Sequence, residues 1–164
     1  MKRLFIYICC AILACAPCMA KDKSQKKAAQ EALVAAINAS NFNVTLTQNI
    51  PKTSDEPIVQ FTGDGYIIRV RGNKATLFIP GVNNGGTMAF GGNYEGLESP
   101  ELVDASCELK SHKGKIWTFV LKQLENASNE VTLKVSDNGA VRVTVDRMPM
   151  THFSFYAEAS IPED

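Results

Sequence analysis

From residue 41 onward, apolar and polar residues alternate along the chain with a period of two. This is the pattern of strands that bury one face. In the first run Phe42, Val44 and Leu46 share one face, and asparagine and threonine occupy the other. We predict about eight or nine short strands. The runs that show the pattern are 42–47, 66–72, 74–80, 102–109, 115–122, 130–136, 140–146 and 151–159.

Turn sequences join several of these runs and leave no room for a helix between them. Gly72-Asn73 separates one pair of runs, and Asp137-Asn138-Gly139 separates another. Asn-Gly favours the positive φ angles of a type I′ hairpin turn. Hairpins pair their strands antiparallel. A sheet with this many strands curls into a barrel or folds into a sandwich, and the sequence leaves both architectures open.

The run at 115–122 is apolar on both faces. Ile116 and Val120 lie on one face, and Trp117, Phe119 and Leu121 lie on the other. Such strands are typical of the covered middle of a sheet. We therefore predict a central strand, or one covered by a helix.

Residues 21–40 are predicted to form an N-terminal helix. Ser24 can act as its N-cap. Ala29, Ala32, Leu33, Ala36 and Ile37 recur at helical spacing and give one thin apolar stripe, suited to close packing on a sheet. The predicted fold is therefore mainly β (α+β), with this helix on the curved antiparallel β domain 41–164. Residues 21–164 make a single globular domain.

Residues 1–20 have the three-part pattern of a secretory signal peptide. Lys2 and Arg3 precede an apolar stretch that is too short to span a bilayer as a helix. Small residues before Lys21 favour cleavage after Ala20. The alternative is a lipobox ending at Cys15, which would become lipidated. We expect contact with a membrane only through such a lipid anchor.

The charge balance gives no reason to expect a nucleic-acid partner. The chain has 17 basic and 17 acidic residues, a formal net charge of zero. Loss of Lys2 and Arg3 with the signal leaves 15 basic residues (17 less two) against 17 acidic residues, a net charge of −2. Arg69, Arg71 and Lys74 could share a polar sheet face with Arg142 and Arg147. Acidic residues close to these cations favour an ordinary solvated face with cross-strand pairs; they are Asp137, Asp146 and Glu158.

A glycine-rich stretch at 81–96 has the spacing of a phosphate-binding loop but not its chemistry. Thr87 stands where the loop needs lysine, and the residues that follow lack helical propensity. The glycines fit turns at the edge of a sheet. Phe90 and Tyr94 within this stretch, together with Trp117, are our candidate ligand rim.

No pattern for catalysis, a metal or a cofactor is present in the sequence. His112 falls in a predicted hairpin turn, and His152 falls on the polar face of its strand. Cys107, the one cysteine after Ala20, shares an apolar face with Val103, Ala105 and Leu109, which favours a buried role over a nucleophilic one. We expect no enzyme activity. A cleft that held His152 near Glu158 or Asp146 would reopen that question.

Several stretches resemble the family known as domain of unknown function 4251, found in secreted proteins of the Bacteroidetes. The resemblance covers roughly residues 28–162. It implies export to the periplasm, the outer membrane or the outside of a Gram-negative cell. The family carries no assigned activity, ligand, cofactor or catalytic residue. The matching stretches are Asn41–Val44, Tyr66–Pro80, Phe90–Gly96, Val131–Val145 and Ser154–Pro162.

Together these features predict a non-enzymatic binding module, secreted or associated with the cell envelope. Its expected partner is a small apolar or glycan-type ligand, or another envelope protein. The alternative is a structural or interaction protein of the envelope that has no small-molecule ligand.

Overall fold

The computed structural model describes residues 24–55, 58–61, 66–79, 102–124, 129–147 and 151–163. The chain divides into two compact units, Met1–Ala32 and Leu33–Asp164. In the first unit, residues 24–32 are helical and their side chains are exposed. The second unit holds residues 33–38, which complete this helix (α1, residues 24–38), and the β-strands. The predicted signal peptide, its cleavage site after Ala20 and Cys15 lie outside the described residues.

The second unit is a closed antiparallel barrel in which each strand pairs with its neighbours in sequence. The architecture that the sequence left open is therefore a barrel, and the strand count agrees with the prediction. Within the described residues, the strands are β1 Asn41–Asn49, β2 Ile67–Arg71, β3 Lys74–Phe78, β4 Val103–Lys113, β5 Ile116–Gln123, β6 Asn129–Ser136, β7 Ala140–Arg147 and β8 Thr151–Ser160.

The barrel closes where β1 pairs with β8. Val44 lies opposite Ala159, and Leu46 lies opposite Ala157. The register then shifts between Leu46 and Gln48, so β1 carries a bulge at Thr47. The Thr47 hydroxyl donates a hydrogen bond to the carbonyl oxygen of Tyr156 at 3.0 Å, which adds a side-chain link across the closure.

Alternate side chains from every strand fill the barrel interior. An eight-stranded barrel is just wide enough for its own side chains to occupy the inside. The Phe42 and Phe119 rings meet there at 5.1 Å between centroids. The buried apolar side chains of the described residues are Ile37, Phe42, Val44, Leu46, Ile68, Val70, Ala75, Leu77, Ile79, Ala105, Cys107, Trp117, Phe119, Leu121, Val131, Leu133, Val135, Val141, Val143, Val145, Phe155 and Ala157.

The tight turns of three hairpins meet at one end of the barrel, and each uses one glycine with positive φ. Gly72, Gly114 and Gly139 have φ angles of 63°, 59° and 88°. The type I′ turn predicted at Asn138-Gly139 is wrong, because Asn138 is not among the described residues with positive φ. Instead Gly139 N donates to Ser136 O at 3.0 Å. This bond and the positive φ at Gly139 match a three-residue loop that ends in a left-handed glycine.

The last residues of α1 pack against this turn end of the barrel. Ile37 is fully buried, and Leu33 and Val34 pack on the core. The Trp117 indole Nε1 donates to Asn38 Oδ1 at 2.9 Å. The helix ends at Asn38, and Ser40 adopts a φ of 51° before β1 begins. The unit boundary at residues 32 and 33 lies inside the predicted helix because the core contacts begin at Leu33.

Three details of the predicted burial pattern are wrong. Ala29 and Ala32 are exposed, whereas Val34 packs on the core. Leu109 is 45% exposed because the register of β4 against β5 shifts between Leu109 and Ser111. Ile116 is 47% exposed, since the second face of β5 is the outer barrel face. Across the part of the chain that the structure describes, no helix has both the length and the apolarity needed to cross a bilayer.

Gly139→Ala tests how tightly α1 is seated on the turn end. A Cβ at this position would lie 3.0 Å from Leu33 Cδ2 and 3.4 Å from Ala159 O. Positive φ alone costs an L-residue about 1–2 kcal/mol, and the crowding adds to that cost. Gly72→Ala and Gly114→Ala are matched controls, because both have positive φ but open space around the new Cβ. In urea unfolding we expect Gly139→Ala to lose more stability than either control, and equal losses would contradict the packing of Leu33.

Candidate functional site

The predicted ligand rim is only partly within the described structure. Phe90 and Tyr94 lie outside the described residues, so the rim stays a prediction. Trp117 is 3% exposed and lies inside the turn end of the barrel. Its indole N–H bonds to Asn38, and its ring stacks on His112 with 4.3 Å between centroids and 12° between planes. These contacts give Trp117 a structural role in joining β4, β5 and α1.

The barrel interior holds little polar chemistry in the described part of the chain. The buried polar side chains there are Asn49 and Gln123, and both have partners. Asn49 Oδ1 accepts a hydrogen bond from Val59 N at 2.6 Å, which fixes the loop after β1. Cys107 faces inward from β4, and burial raises the pKa of its thiol from 9.0 to about 11. A thiol with this pKa stays protonated at neutral pH and is a poor nucleophile.

His152 and Asp146 meet on the outer face of the barrel. They lie opposite each other on β8 and β7, and His152 Nδ1 contacts Asp146 Oδ1. Both side chains are well exposed, so water competes for the same atoms. His112 lies at the end of β4 rather than in the predicted turn, and its Nε2 approaches Gly114 O at 3.0 Å. Among the described residues, no group of three or more His, Cys, Asp or Glu side chains could hold a metal ion.

An open groove of about 490 Å³ crosses the outer barrel face where β7, β8 and β1 meet. We call it the Tyr156 groove. The Tyr156 side chain is 53% exposed and lies opposite Arg142 of β7. The residues that line the groove are Thr47, Asn138, Gly139, Ala140, Val141, Tyr156, Ala157, Glu158 and Ala159.

Local sequence explains why the face is recessed here. Ala140 lies opposite Glu158 and has only a methyl side chain, so the surface next to Tyr156 is low. Gly139 adds no side chain at all. On the other side of β8, the bulge at Thr47 changes the course of β1. The strand pairing on both sides of β8 holds the backbone below the groove, so this recess is built on rigid elements.

The groove combines one aromatic ring with several hydrogen-bonding groups. Glu158 supplies a carboxylate without an ion-pair partner among the described residues. Asn138 Oδ1 accepts a hydrogen bond from Ala140 N at 3.1 Å, which orients its amide group. The Thr47 hydroxyl donates to Tyr156 O and retains its capacity to accept. An aromatic face with a few placed polar groups is typical of small-molecule sites.

Comparisons with known proteins support the barrel architecture. No family model matches the sequence, and no curated protein matches it. A crystal structure of a DUF4251 family protein from Bacteroides eggerthii is similar to this chain, with a TM-score of 0.56. The similarity covers 82% of this chain and 88% of that protein. The chain has the DUF4251 fold.

At 15% sequence identity, this similarity concerns the fold alone. It confirms the resemblance to the domain of unknown function 4251 family as a structural one. The DUF4251 fold brings no activity or ligand with it, so any site must be argued from the side chains of this chain.

The sequence pattern did not single out the Tyr156 groove. It places Tyr156 correctly on the polar face of β8, but a single surface tyrosine is unremarkable. Thr47 and Tyr156 are 109 residues apart in sequence. Their proximity follows from barrel closure and from the β1 bulge, and the sequence does not specify either feature. An aromatic residue on an otherwise polar strand face was the available signal.

The raised pKa of Cys107 gives a pH dependence with a definite sign. Below pH 9 the thiol is protonated in both the folded and the unfolded chain, and its contribution to stability is fully present. Between pH 9 and about 11 the unfolded chain loses the thiol proton more readily, so the free energy of unfolding falls as pH rises. We expect Cys107→Ala to show a weaker fall over this range in urea unfolding. Other groups also titrate there, and the variant isolates the thiol.

Alkylation provides a second measurement on the same residue. At pH 8, iodoacetamide should modify Cys107 far more slowly in the native chain than in urea. Equal rates in the two conditions would contradict its burial.

Proposed function

We propose that this chain is an exported, non-enzymatic binding module that holds a glycan-type ligand in the Tyr156 groove. The observation that carries the proposal is the half-exposed Tyr156 ring within a recess lined by a carboxylate, an amide and a hydroxyl group. The paired strands β8 and β1 hold Tyr156, Glu158 and Thr47, and the bond from Ala140 N orients Asn138 in the turn before β7. Preorganisation of this kind reduces the entropy lost on binding.

A saccharide suits this groove better than a purely apolar ligand. Sugar rings present an apolar C–H face and an edge of hydroxyl groups. Tyr156 can pack against the face, while Glu158 and Asn138 can accept or donate hydrogen bonds at the edge. Fully buried side chains such as Phe42, Phe119 and Phe155 already occupy the barrel interior, which argues against an apolar ligand there.

The described titratable groups support binding without catalysis. Burial raises the pKa of the Cys107 thiol and removes it from solvent. His152 contacts Asp146 on an exposed face, and neither residue lines the Tyr156 groove. Catalysis by general acid and base needs such groups to converge on a reacting atom.

Exposed leucines favour a second candidate function, an envelope interaction protein without a small-molecule ligand. Leu102 immediately precedes β4, Leu124 immediately follows β5, and both are strongly exposed. Leu124 N donates to Asp104 O, so the two segments are adjacent at the barrel end opposite the tight turns. Exposed apolar side chains that lie together are typical of protein contact sites.

Tyr156→Ala tests the glycan proposal. Full-length chain is applied to an array of neutral oligosaccharides, and the strongest binder is then titrated by NMR. Loss of the ring should weaken binding at least about tenfold, equivalent to ~1.4 kcal/mol. Tyr156→Phe should keep most of the affinity if the ring face makes the contact.

Ile116→Ala is the matched control, since it removes another half-exposed apolar side chain from the outer face of β5. It should bind as the wild type does. Binding unaffected by Tyr156→Ala, or lost equally in Ile116→Ala, contradicts a saccharide site at this groove. The interaction protein would be favoured by two results together. The chain would bind no saccharide on the array, and it would capture an envelope protein that the Leu102→Ser/Leu124→Ser variant does not capture.

Export is tested by the N-terminus of the protein produced in a Gram-negative host. We expect intact-mass measurement to show a chain that begins at Lys21, recovered from the periplasm or the medium. A diacylglyceryl group on Cys15 would replace this route with the lipoprotein alternative. Cytoplasmic chain that retains residues 1–20 would contradict export altogether.

A further inference from the structure

A second groove lies on the outer face of β2, β3 and β4, away from the Tyr156 groove. We call it the arginine groove. Its volume is about 160 Å³. Cross-strand pairs place Arg69 beside Thr76 and Arg71 beside Lys74. The residues that line the groove are Arg69, Arg71, Lys74, Ala75, Thr76, Asp104, Ala105 and Leu124.

Neutral oxygen atoms hold the Arg71 guanidinium in place. Nη1 donates to Phe42 O at 3.0 Å and to Val70 O at 2.7 Å. Nη2 donates to Asn43 Oδ1 at 2.8 Å. These bonds fix the group against β1 but leave its positive charge without a carboxylate partner. A cation positioned in advance loses less entropy when it meets an anion.

The acidic residues that the sequence suggested as balancing partners lie elsewhere. Asp137 pairs with Lys115 at 3.1 Å, Asp146 contacts His152, and Glu158 lines the Tyr156 groove. Arg69 and Lys74 form no ion pair within the described ranges. Three basic residues and one acidic residue, Asp104, therefore line the groove.

We propose that the arginine groove binds a singly charged oxyanion, a carboxylate in particular. Its volume equals that of about five water molecules at ~30 Å³ each, which suits one anionic group and the atoms beside it. The Asp104 carboxylate on the β4 side lowers the local positive potential, and with it the free energy gained from a second negative charge on the ligand. Thr76 adds a hydroxyl that can donate to the ligand oxygen.

The carboxylate can come from an acidic sugar or from a peptide terminus, and two probes distinguish these sources. Full-length 15N-labelled chain is titrated with sodium glucuronate and, separately, with N-acetylglycine at constant ionic strength. Glucose and N-acetylglycinamide are the neutral counterparts. We expect saturable amide shifts in residues 69–76 and 104–106 with at least one carboxylate probe and none with the neutral compounds. The probe that binds identifies the source.

Arg69→Gln/Lys74→Gln should weaken carboxylate binding at least about tenfold, because it removes two charges that face the ligand. Lys134→Gln on the outer face of β6 is the matched control and should bind normally. All three substitutions are at exposed positions, and thermal unfolding will show whether each variant is folded. Tyr156→Ala should leave carboxylate binding intact, so failure of one groove is distinguishable from failure of the other. Absence of saturable shifts, equal shifts with neutral probes or an equal loss in Lys134→Gln would overturn the proposal.

Discussion

Pairing between the first and last strands is the constraint on which the rest of this structure depends. Hydrogen bonds from β1 to β8 convert an open antiparallel sheet into a closed barrel. Closure gives the sheet an inside and an outside, and the period-two alternation then assigns each side chain to one of them. The packed interior and the Tyr156 groove follow from that single pairing. The side-chain bond from Thr47 to Tyr156 reinforces the pairing where β1 bulges.

The two ends of the barrel have different roles. At one end, three short hairpins and the last residues of α1 make a closely packed cap. The Trp117–Asn38 bond provides the polar link in that cap, and a buried indole N–H needs such a partner because an unsatisfied donor costs about 1–3 kcal/mol. At the other end, Leu102 and Leu124 are exposed. The proposed ligand grooves lie on the side wall, where strand pairing fixes the backbone.

The sequence pattern predicts most of the fold because apolar and polar side chains alternate within most strands and so indicate which face is buried. The inward positions of β1, β2 and β8 follow from alternation, whereas the run of β5 is apolar on both faces and does not show which face is buried. It fails at Leu109, since a register shift interrupts the period, and at Ile116, since apolar side chains also occur on solvated faces. The type I′ turn predicted at Asn138-Gly139 is wrong because Asn-Gly occurs in both two-residue and three-residue hairpin loops.

The candidate sites were harder to predict than the strands. Tyr156, Ala140 and Thr47 come together only through cross-strand register, and one residue of slip would move every side chain to the other face. The sequence shows the basic residues, but it does not show that they lie on different parts of the barrel. Arg69, Arg71 and Lys74 share one groove, whereas Arg142 lies on β7, and none of the expected acidic partners lines that groove.

Barrel closure also governs the order in which this chain can fold. Thr47 and Tyr156 are separated by 109 residues, so the pairing of β1 with β8 joins two distant segments of the chain. A ribosome completes β1 long before β8 exists, and until then β1 can form only its local pairing with β2. Strand pairing between distant segments requires closure of a long loop, which slows folding. The barrel therefore cannot close until β8 has been synthesised.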